Sequence, residues 1–360
     1  MNEAVRLRAL RKSMAARQVE ALIVTHLPDV RYLCGFTGSN AALAITSTKS
    51  VLFTDGRYIA QAAEETRAAR VVIAQAALQE ACELLESSAK GASFDPANTA
   101  VAQLSAMRAA ISGKRRRSFF APLEQPLVSE QRMVKDADEL KAMAKAADLG
   151  NRIFQAVLPH IQSGVPEVEV AAGLEFFARS MGAEAMSFET IIASGPRSAL
   201  PHGRATARKL PRKGFVTLDF GVILKGYCSD MTRTVHLGKT GRGERQAYEA
   251  VLEAQKAAVA VVGPGVTCGQ VDEAARSVLR KAGLDKYFTH STGHGVGLEI
   301  HEHPRVAAGQ PLKLKPGMVV TIEPGVYLAG KFGVRIEDMV AVTDRGHKVL
   351  TPVNKDLIEL

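Results

Sequence analysis

The second part of the chain repeats one order of helices and strands. Helical patterns at about 136–160 and 167–181 precede strand patterns in "ETIIAS", "FVTLDFG" and "CSDMTRTVHL". Helical patterns at about 243–262 and 270–282 then precede strand patterns in "HGVGLEIH", "MVVTIEPGVYL" and "GVRIEDMVAV". Two helices followed by three strands therefore occur twice. This pseudo-repeat predicts an α+β domain in which helices cover an antiparallel sheet.

The first part of the chain follows a different plan. Helical segments near Glu3 to Arg17 and Gly56 to Arg67 alternate with the strand-like runs "ALIVT", "AALAIT", "VLFTD", "VVIAQ" and "ASFD". Such alternation predicts a smaller α/β layer domain. Two prolines and mixed charges in "FFAPLEQPLVSEQRMVKDADEL" interrupt the pattern. We therefore predict an N-terminal domain over residues 1–125 and a second domain over residues 126–360.

Composition and charge limit the setting in which the chain works. With 46% hydrophobic and 23% charged residues, the chain has the balance of an ordinary globular protein. No apolar run approaches the ~20 residues of a membrane span, and the first residues lack a signal-peptide core. Four scattered cysteines without a CxxC pair fit a reducing compartment. We therefore expect a cytoplasmic protein with no membrane partner.

The net charge of +9 raises the question of nucleic acid. The densest basic run, Lys114 to Arg117, follows a glycine and has no recognised binding motif around it. A solvated loop explains this run better than a binding surface. We expect no nucleic-acid partner.

Two aspartates lie where a hairpin pattern calls for apolar side chains. If Leu224 and Lys225 form the turn of "VTLDFGVILKGYCSDMTRT", Asp219 and Asp230 face each other across the hairpin. Facing side chains in an antiparallel pair lie roughly 4.5–5.5 Å apart at Cβ, and like charges there are destabilising. Either both are solvent-exposed turn flanks, or a positive charge lies between them.

A second pair of acids lies in the equivalent hairpin of the other repeat. A turn at about 329–331 in "TIEPGVYLAGKFGVRIED" places Glu323 opposite Glu337. Between the two hairpins, the glycine-rich stretch "HSTGHGVGLEIHEHP" holds four histidines. Four buried carboxylates cannot stay ionised together without a counter-charge. Paired acids at equivalent places beside histidines therefore predict a metal site.

Two divalent cations, about 3.5–4 Å apart with bridging carboxylates, would neutralise the four acids. Ligation rich in oxygen with one imidazole suits Mn²⁺ better than a structural zinc site, which favours sulfur and histidine. We therefore predict two divalent metal ions, with Mn²⁺ preferred and Zn²⁺, Co²⁺ or iron as alternatives.

Several sequence motifs of this chain resemble those of a known family. "LDFG", "SDMTRT", "GHGVGLEIHE", "TIEPG" and "VRIED" resemble the motifs of the pita-bread metallopeptidases, especially the proline-specific aminopeptidase P and prolidase. "RYLCGFTGSN" and "LFTDGRY" are similar to the creatinase-type N-terminal domain of that group. The resemblance implies a pita-bread catalytic domain preceded by that smaller domain, and it also implies a homodimer.

The resemblance also implies roles for the metal ligands. Asp219 would chelate one ion, and His294 with Glu323 would hold the other. Asp230 and Glu337 would bridge the two ions. Glu323 would in addition handle the proton of the attacking water, which a pair of cations acidifies.

Other residues match family positions around the metals. His202 and His301 are expected to contact the substrate and stabilise the tetrahedral intermediate, and His290 is expected to line the pocket or to serve a structural role. Arg335, two residues before Glu337, would orient that carboxylate or bind the substrate. These four residues complete the predicted substrate site.

The leading hypothesis is an Xaa-Pro aminopeptidase, which acts on peptides with proline in the second position. The first alternative is an Xaa-Pro dipeptidase, or prolidase, restricted to dipeptides. A methionine aminopeptidase fits less well because of the large N-terminal domain, and a metal-free creatinase fits less well because the ligand set is complete. A non-catalytic binding protein of the same fold is the alternative from another class, and its metal ligands would be expected to be lost.

Overall fold

The computed structural model of the protein describes residues 2–360. Within that range the helices are, in chain order, α1 (Glu3–Ala16), α2 (Leu27–Cys34), α3 (Ile59–Glu65), α4 (Ala77–Ser88), α5 (Val101–Ala109), α6 (Leu127–Arg132), α7 (Ala137–Val157), α8 (Glu167–Ser180), α9 (Arg242–Val261) and α10 (Cys268–Lys281). None of these helices combines the length and the apolar character that a membrane crossing requires.

The strands of the described residues are short. They are β1 (Ala21–Val24), β2 (Ala42–Thr46), β3 (Ser50–Thr54), β4 (Arg70–Ile73), β5 (Ala92–Phe94), β6 (Phe120–Pro122), β7 (Ala185–Met186), β8 (Ile191–Ser194), β9 (Gly214–Phe220), β10 (Val222–Leu224), β11 (Tyr227–Cys228), β12 (Met231–Leu237), β13 (Gly293–Gly295), β14 (Glu302–Val306), β15 (Val319–Ile322), β16 (Gly325–Leu328), β17 (Phe332–Arg335), β18 (Asp338–Thr343) and β19 (Gly346–Val349).

The chain forms two compact units, one ending at Arg132 and the other running Met133–Leu360. The boundary predicted between residues 125 and 126 precedes α6, which belongs to the first unit. Arg132, at the end of α6, is buried and donates to Asp29 of α2 over 2.7 Å. Since separating a buried ion pair leaves an uncompensated charge, this contact holds α6 in the first unit.

The first unit is built on a six-stranded sheet in the order β4-β3-β2-β1-β5-β6. Strands β1–β2 and β2–β3 pair antiparallel, whereas β3–β4, β1–β5 and β5–β6 pair parallel. The strands β1, β2 and β3 are buried throughout, and Ala81, Cys82 and Leu85 of α4 pack into their core. The predicted α/β layer domain is confirmed.

The second unit contains the predicted repeat. Its first three main strands form a sheet in the order β12-β9-β8. The equivalent strands of the second half, β13, β15 and β18, are neighbours in the sheet β14-β13-β15-β18-β19. All pairs in both sheets are antiparallel. The predicted α+β fold with two helices and three strands in each half is therefore confirmed.

Each half of the second unit buries its own helix pair. Apolar residues of α7 and α8 pack with those of β8, β9 and β12, and apolar residues of α9 and α10 pack with those of β15 and β18. A capping box begins α7, where Asp136 and Glu139 each accept from the other's backbone N–H over 2.9 Å. Thr267 and Gln270 begin α10 in the same way.

The register of the first hairpin differs from the prediction by two residues. Asp219 pairs with Thr232, and Leu224 pairs with Tyr227. The turn is therefore Lys225 and Gly226, which both have positive φ values, of 53° and 77°. Such a pair matches the twist of the strands in a two-residue hairpin. Because side chains alternate with a period of two, the shift leaves Asp230 on the same face as Asp219.

The register of the second hairpin agrees with the prediction. Gly325 pairs with Arg335 on one side, and Ile322 pairs with Asp338 on the other. Both pairings are in the same register, so Glu323 lies opposite Glu337 in the break between the two ladders. At this break both acids lie outside the regular strand pairing, next to the candidate site.

Candidate metal centre

Three predicted ligands meet at one point. Asp230, His294 and Glu337 each offer a ligand atom, and these atoms lie within 4.8 Å of one another. Asp230 directly precedes β12, His294 lies in β13, and Glu337 lies between β17 and β18. The Nε2 atom of His294 is 3.6 Å from Oδ2 of Asp230. Both carboxylates are buried, with exposed fractions of 4% for Asp230 and 2% for Glu337.

Glu323 joins this cluster through His294. The Nε2 atom of His294 lies 3.5 Å from Oε1 of Glu323. The hydroxyl of Thr321 accepts from the His294 backbone N–H over 3.0 Å and donates to Glu323 over 3.3 Å. The backbone N–H of Glu323 donates to the Thr292 carbonyl over 2.8 Å. Thr321 thus holds two predicted ligands of one ion together.

Asp219 completes the set from β9. Its Oδ2 atom accepts from Nη2 of Arg335 over 2.5 Å. Its Oδ1 atom is buried, and no atom of residues 2–360 hydrogen-bonds to it. A buried polar oxygen without a partner is rare and calls for an explanation such as an ion. The donor set therefore fits a divalent cation.

The pKa values of the carboxyls reflect crowding of negative charge. Burial, followed by the charge of Glu337, raises the pKa of Asp230 well above its usual range. Burial, followed by the charge of Glu323, raises the pKa of Glu337 well above its usual range. Burial also raises the pKa of Glu323 to about 8, although Arg335 opposes the shift. Such groups need a positive partner to be ionised together.

The His294 side chain is in the neutral form that a metal ligand needs. Burial lowers its pKa to about 4, so the imidazole is uncharged at neutral pH. Its Nδ1 atom lies 2.9 Å from the Gly295 carbonyl, which places a proton on Nδ1. The lone pair of Nε2 then points toward the carboxylates, as a metal-binding histidine requires.

Arg335 is expected to orient Glu337 or to bind the substrate, and its direct hydrogen bonds go to other groups. The buried guanidinium donates directly to Asp219 and, over 2.7 Å, to the Tyr327 hydroxyl. It reaches Glu337 only through Thr232, whose hydroxyl accepts from Nε over 3.1 Å and donates to Glu337 over 2.7 Å. The direct partner differs because Thr232 occupies the space between Arg335 and Glu337.

The predicted substrate histidines lie around the same cluster. The His301 ring is 4.4 Å from the His294 ring, and His301 is exposed. His202 is also exposed. Although His301 reaches solvent, its partial burial, followed by the charge of His202, lowers the pKa of His301. His290 is half-buried, and its Nε2 atom lies 2.9 Å from the Tyr327 hydroxyl.

Three residues of the site were not predicted. Thr232 and Thr321 hydrogen-bond to candidate ligands, and Tyr327 links His290 to Arg335. The two threonines lie two residues from Asp230 and Glu323, so strand alternation could have indicated their position. The contacts of Tyr327 depend on packing, and we find no signal for them in the sequence.

Each of the two domains matches a known family. Residues 6–134 match the creatinase/prolidase N-terminal domain, and residues 141–344 match metallopeptidase family M24. The chain therefore belongs to metallopeptidase family M24, and the predicted pita-bread fold is confirmed.

Several relatives of this chain carry specific names. A solved structure of the Xaa-Pro dipeptidase from Bacillus anthracis has a TM-score of 0.95 at 37% identity and covers 100% of both chains. The Xaa-Pro dipeptidase of Pyrococcus furiosus is 44% identical over 64% of this chain and 67% of its own. The X-Pro aminopeptidase from Thermotoga maritima has a TM-score of 0.87 at 32% identity, covering 97% of this chain and 100% of its own.

Proposed function

We propose that this protein is a metal-dependent Xaa-Pro dipeptidase. The observation that carries the proposal is the match along the whole chain to the Bacillus anthracis dipeptidase, at a TM-score of 0.95. The sequence motifs alone favoured the aminopeptidase, with the dipeptidase as the alternative. The names of the relatives give more support to the dipeptidase, so we adopt that alternative.

The five candidate ligands would hold two divalent ions, with Mn²⁺ as the preferred metal. Asp219 would bind one ion, His294 and Glu323 the other, and Asp230 and Glu337 would bridge them. A pair of divalent ions at such a site acidifies a bound water and polarises the scissile carbonyl. Oxygen-rich ligation with one imidazole is the donor set that supports Mn²⁺.

Other groups of this chain would complete the reaction. The Glu323 carboxylate would take the proton of the attacking water and return it to the departing proline nitrogen. His202 and His301 would donate hydrogen bonds to the carbonyl oxygen as negative charge develops there. Because an Xaa-Pro bond has no N–H, a pocket for this substrate must recognise the proline ring and the carbonyl instead. Arg335 and His290 would form part of its wall.

The choice between dipeptidase and aminopeptidase depends on the space beyond the proline. A dipeptidase closes its pocket around the free carboxylate of the substrate, whereas an aminopeptidase leaves room for a longer chain. The similarity to the Thermotoga maritima aminopeptidase keeps the second activity as the alternative. We further propose a homodimer, which the family resemblance supports.

The deciding experiment compares Ala-Pro with Ala-Pro-Ala, using metal-stripped protein with and without added Mn²⁺. We expect metal-dependent cleavage of the dipeptide and little action on the tripeptide, with about two equivalents of metal bound. Preference for the tripeptide would instead establish the aminopeptidase. Absence of both cleavage and metal uptake would support a non-catalytic binding protein and overturn the proposal.

A further inference from the structure

A fully buried carboxylate lies away from the metal ligands. Glu167 is the first residue of α8 and has an exposed fraction of 0%. Its Oε1 atom accepts from the Ser194 backbone N–H over 2.9 Å and from the Ser194 hydroxyl over 2.8 Å. Its Oε2 atom accepts from the Thr206 N–H over 3.1 Å, from the Thr206 hydroxyl over 2.7 Å, and from Arg197.

These donors belong to the two ends of one loop. Ser194 ends β8, and Thr206 lies twelve residues further along. Between them runs the loop 195–205, which begins with a short 3₁₀ helix, Gly195–Ala199, and carries His202. Oε1 therefore holds the start of the loop, and Oε2 holds its end and also accepts from Arg197 near its start. Glu167 thus contacts both ends of the loop, together with Arg197, whose Nη2 donates to the Arg204 carbonyl over 2.7 Å. These contacts offset the conformational entropy that closing the loop costs.

The tip of the same loop is attached to the metal centre. Nη1 of Arg335 donates to the Pro201 carbonyl over 3.0 Å, and Arg335 also binds Asp219. The Gly333 N–H donates to the Ser198 hydroxyl over 2.8 Å. Pro201 directly precedes His202, so the position of the His202 backbone depends on both attachments. The ends of the loop are held by Glu167 and its tip is held by Arg335.

We propose that Glu167 is a positioning residue that holds loop 195–205 so that His202 meets the substrate. This inference rests on the proposed function, in which His202 stabilises the developing negative charge. Hydrogen-bond donors of that kind act only when they are held close to their productive geometry. A displacement of about 1 Å can cost about 10²-fold in rate.

The substitution Glu167→Gln tests the geometry directly. An amide replaces one acceptor oxygen with an NH₂ donor, so one end of the loop loses its acceptor. The matched control is Glu169→Gln, because Glu169 is exposed in the same first turn of α8. We expect Glu167→Gln to lower kcat for Ala-Pro about 10–100-fold, with unchanged metal content, and the control to leave kcat unchanged.

A double-mutant cycle separates positioning from general destabilisation. If Glu167 acts through His202, Glu167→Gln lowers kcat less than about threefold in the His202→Ala background. An equal fold-loss of kcat in both backgrounds would overturn the inference, as would a loss of bound metal in Glu167→Gln. Thr206→Val, which removes one donor from Oε2, repeats the test if Glu167→Gln does not fold.

Hydrogen exchange supplies a readout that does not depend on activity. We expect faster exchange of the backbone amides of residues 195–205 in Glu167→Gln than in Glu169→Gln. Unchanged exchange there contradicts the inference even if the enzyme proves to have another substrate. Conversely, if His202→Ala leaves kcat unchanged while loop exchange responds to Glu167→Gln, the proposed role of His202 fails and Glu167 is a loop anchor only.

Discussion

Arg335 and Asp219 form a buried ion pair in which Nη2 lies 2.5 Å from Oδ2. The pair joins the second hairpin to β9 of the first and leaves Oδ1 of Asp219 as the oxygen that a cation would take. The same guanidinium contacts Thr232 and Tyr327. One arginine thus organises a carboxylate ligand and two neutral side chains of the site.

Replacing Arg335 with lysine tests this organisation. Arg335→Lys keeps a positive charge but cannot reproduce the planar set of donors, so Asp219 loses its fixed orientation. We expect metal affinity, measured by calorimetry, to fall about 10–100-fold. Arg280→Lys is the control, because Arg280 is a half-exposed arginine on α10. Equal metal affinity in the two variants would contradict an orienting role for Arg335.

The bridging assignment predicts complete loss of function. Glu337→Gln and Asp230→Asn each replace a carboxylate by a weaker neutral ligand, and we expect both to abolish hydrolysis and to reduce bound metal. Metal content by elemental analysis and turnover of Ala-Pro are the measurements. Glu249→Gln, at an exposed position of α9, is the control. Full activity in either site variant would overturn the assignment.

The threonines beside the ligands are expected to tune metal affinity. Thr321→Val removes the hydroxyl that connects His294 to Glu323, without changing the side-chain shape. Outer hydrogen bonds of this kind typically contribute 10–100-fold in metal affinity, and we expect about tenfold here. Thr54→Val, which removes a fully buried hydroxyl in the first unit, is the control for loss of a buried hydrogen bond. Unaltered metal affinity in Thr321→Val would show that His294 and Glu323 keep their positions without the Thr321 hydroxyl.

Metal-stripped protein should become less stable as the pH rises from about 6.5 to 8. The folded pKa of Glu323 is raised from 4.5 to about 8, so its stabilising contribution is complete below 4.5 and is lost as the pH rises through 8. Asp230 and Glu337 shift in the same direction. The pKa of His294 is lowered from 6.5 to about 4, so its contribution to the stability of the protein is lost only as the pH falls below 6.5. His294 therefore has no effect between pH 6.5 and 8.

Urea unfolding at pH 6.5 and 8, with and without Mn²⁺, measures this effect. Without metal, we expect the free energy of unfolding to be lower at pH 8 than at pH 6.5 by an amount on the order of a few kcal/mol. Mn²⁺ should reduce this difference because it supplies the missing positive charge, and Glu323→Gln should also reduce it. A metal-stripped protein that is equally stable at both pH values would show that the pKa values of these buried carboxyls are not raised as described.

Much of the fold could be predicted from local patterns. The repeat of two helices and three strands follows from periodicity, because each element shows its buried face in its own residues. Strand alternation also placed Asp219 and Asp230 on one face, although the register was wrong by two positions. That error has a local cause, since the twist of the strands favours positive φ at both turn residues, Lys225 and Gly226.

The sequence by itself determined which groups were available: four acids at equivalent places in two hairpins, and a histidine in the stretch between them. Only the tertiary structure decided which atoms meet. Arg335 pairs with Asp219 rather than with Glu337, and Glu167 holds both ends of the loop that carries His202, across separations of 116 and up to 39 residues. Alternation along a strand indicates the face on which a side chain lies, but contacts over such separations depend on how the sheets and helices pack.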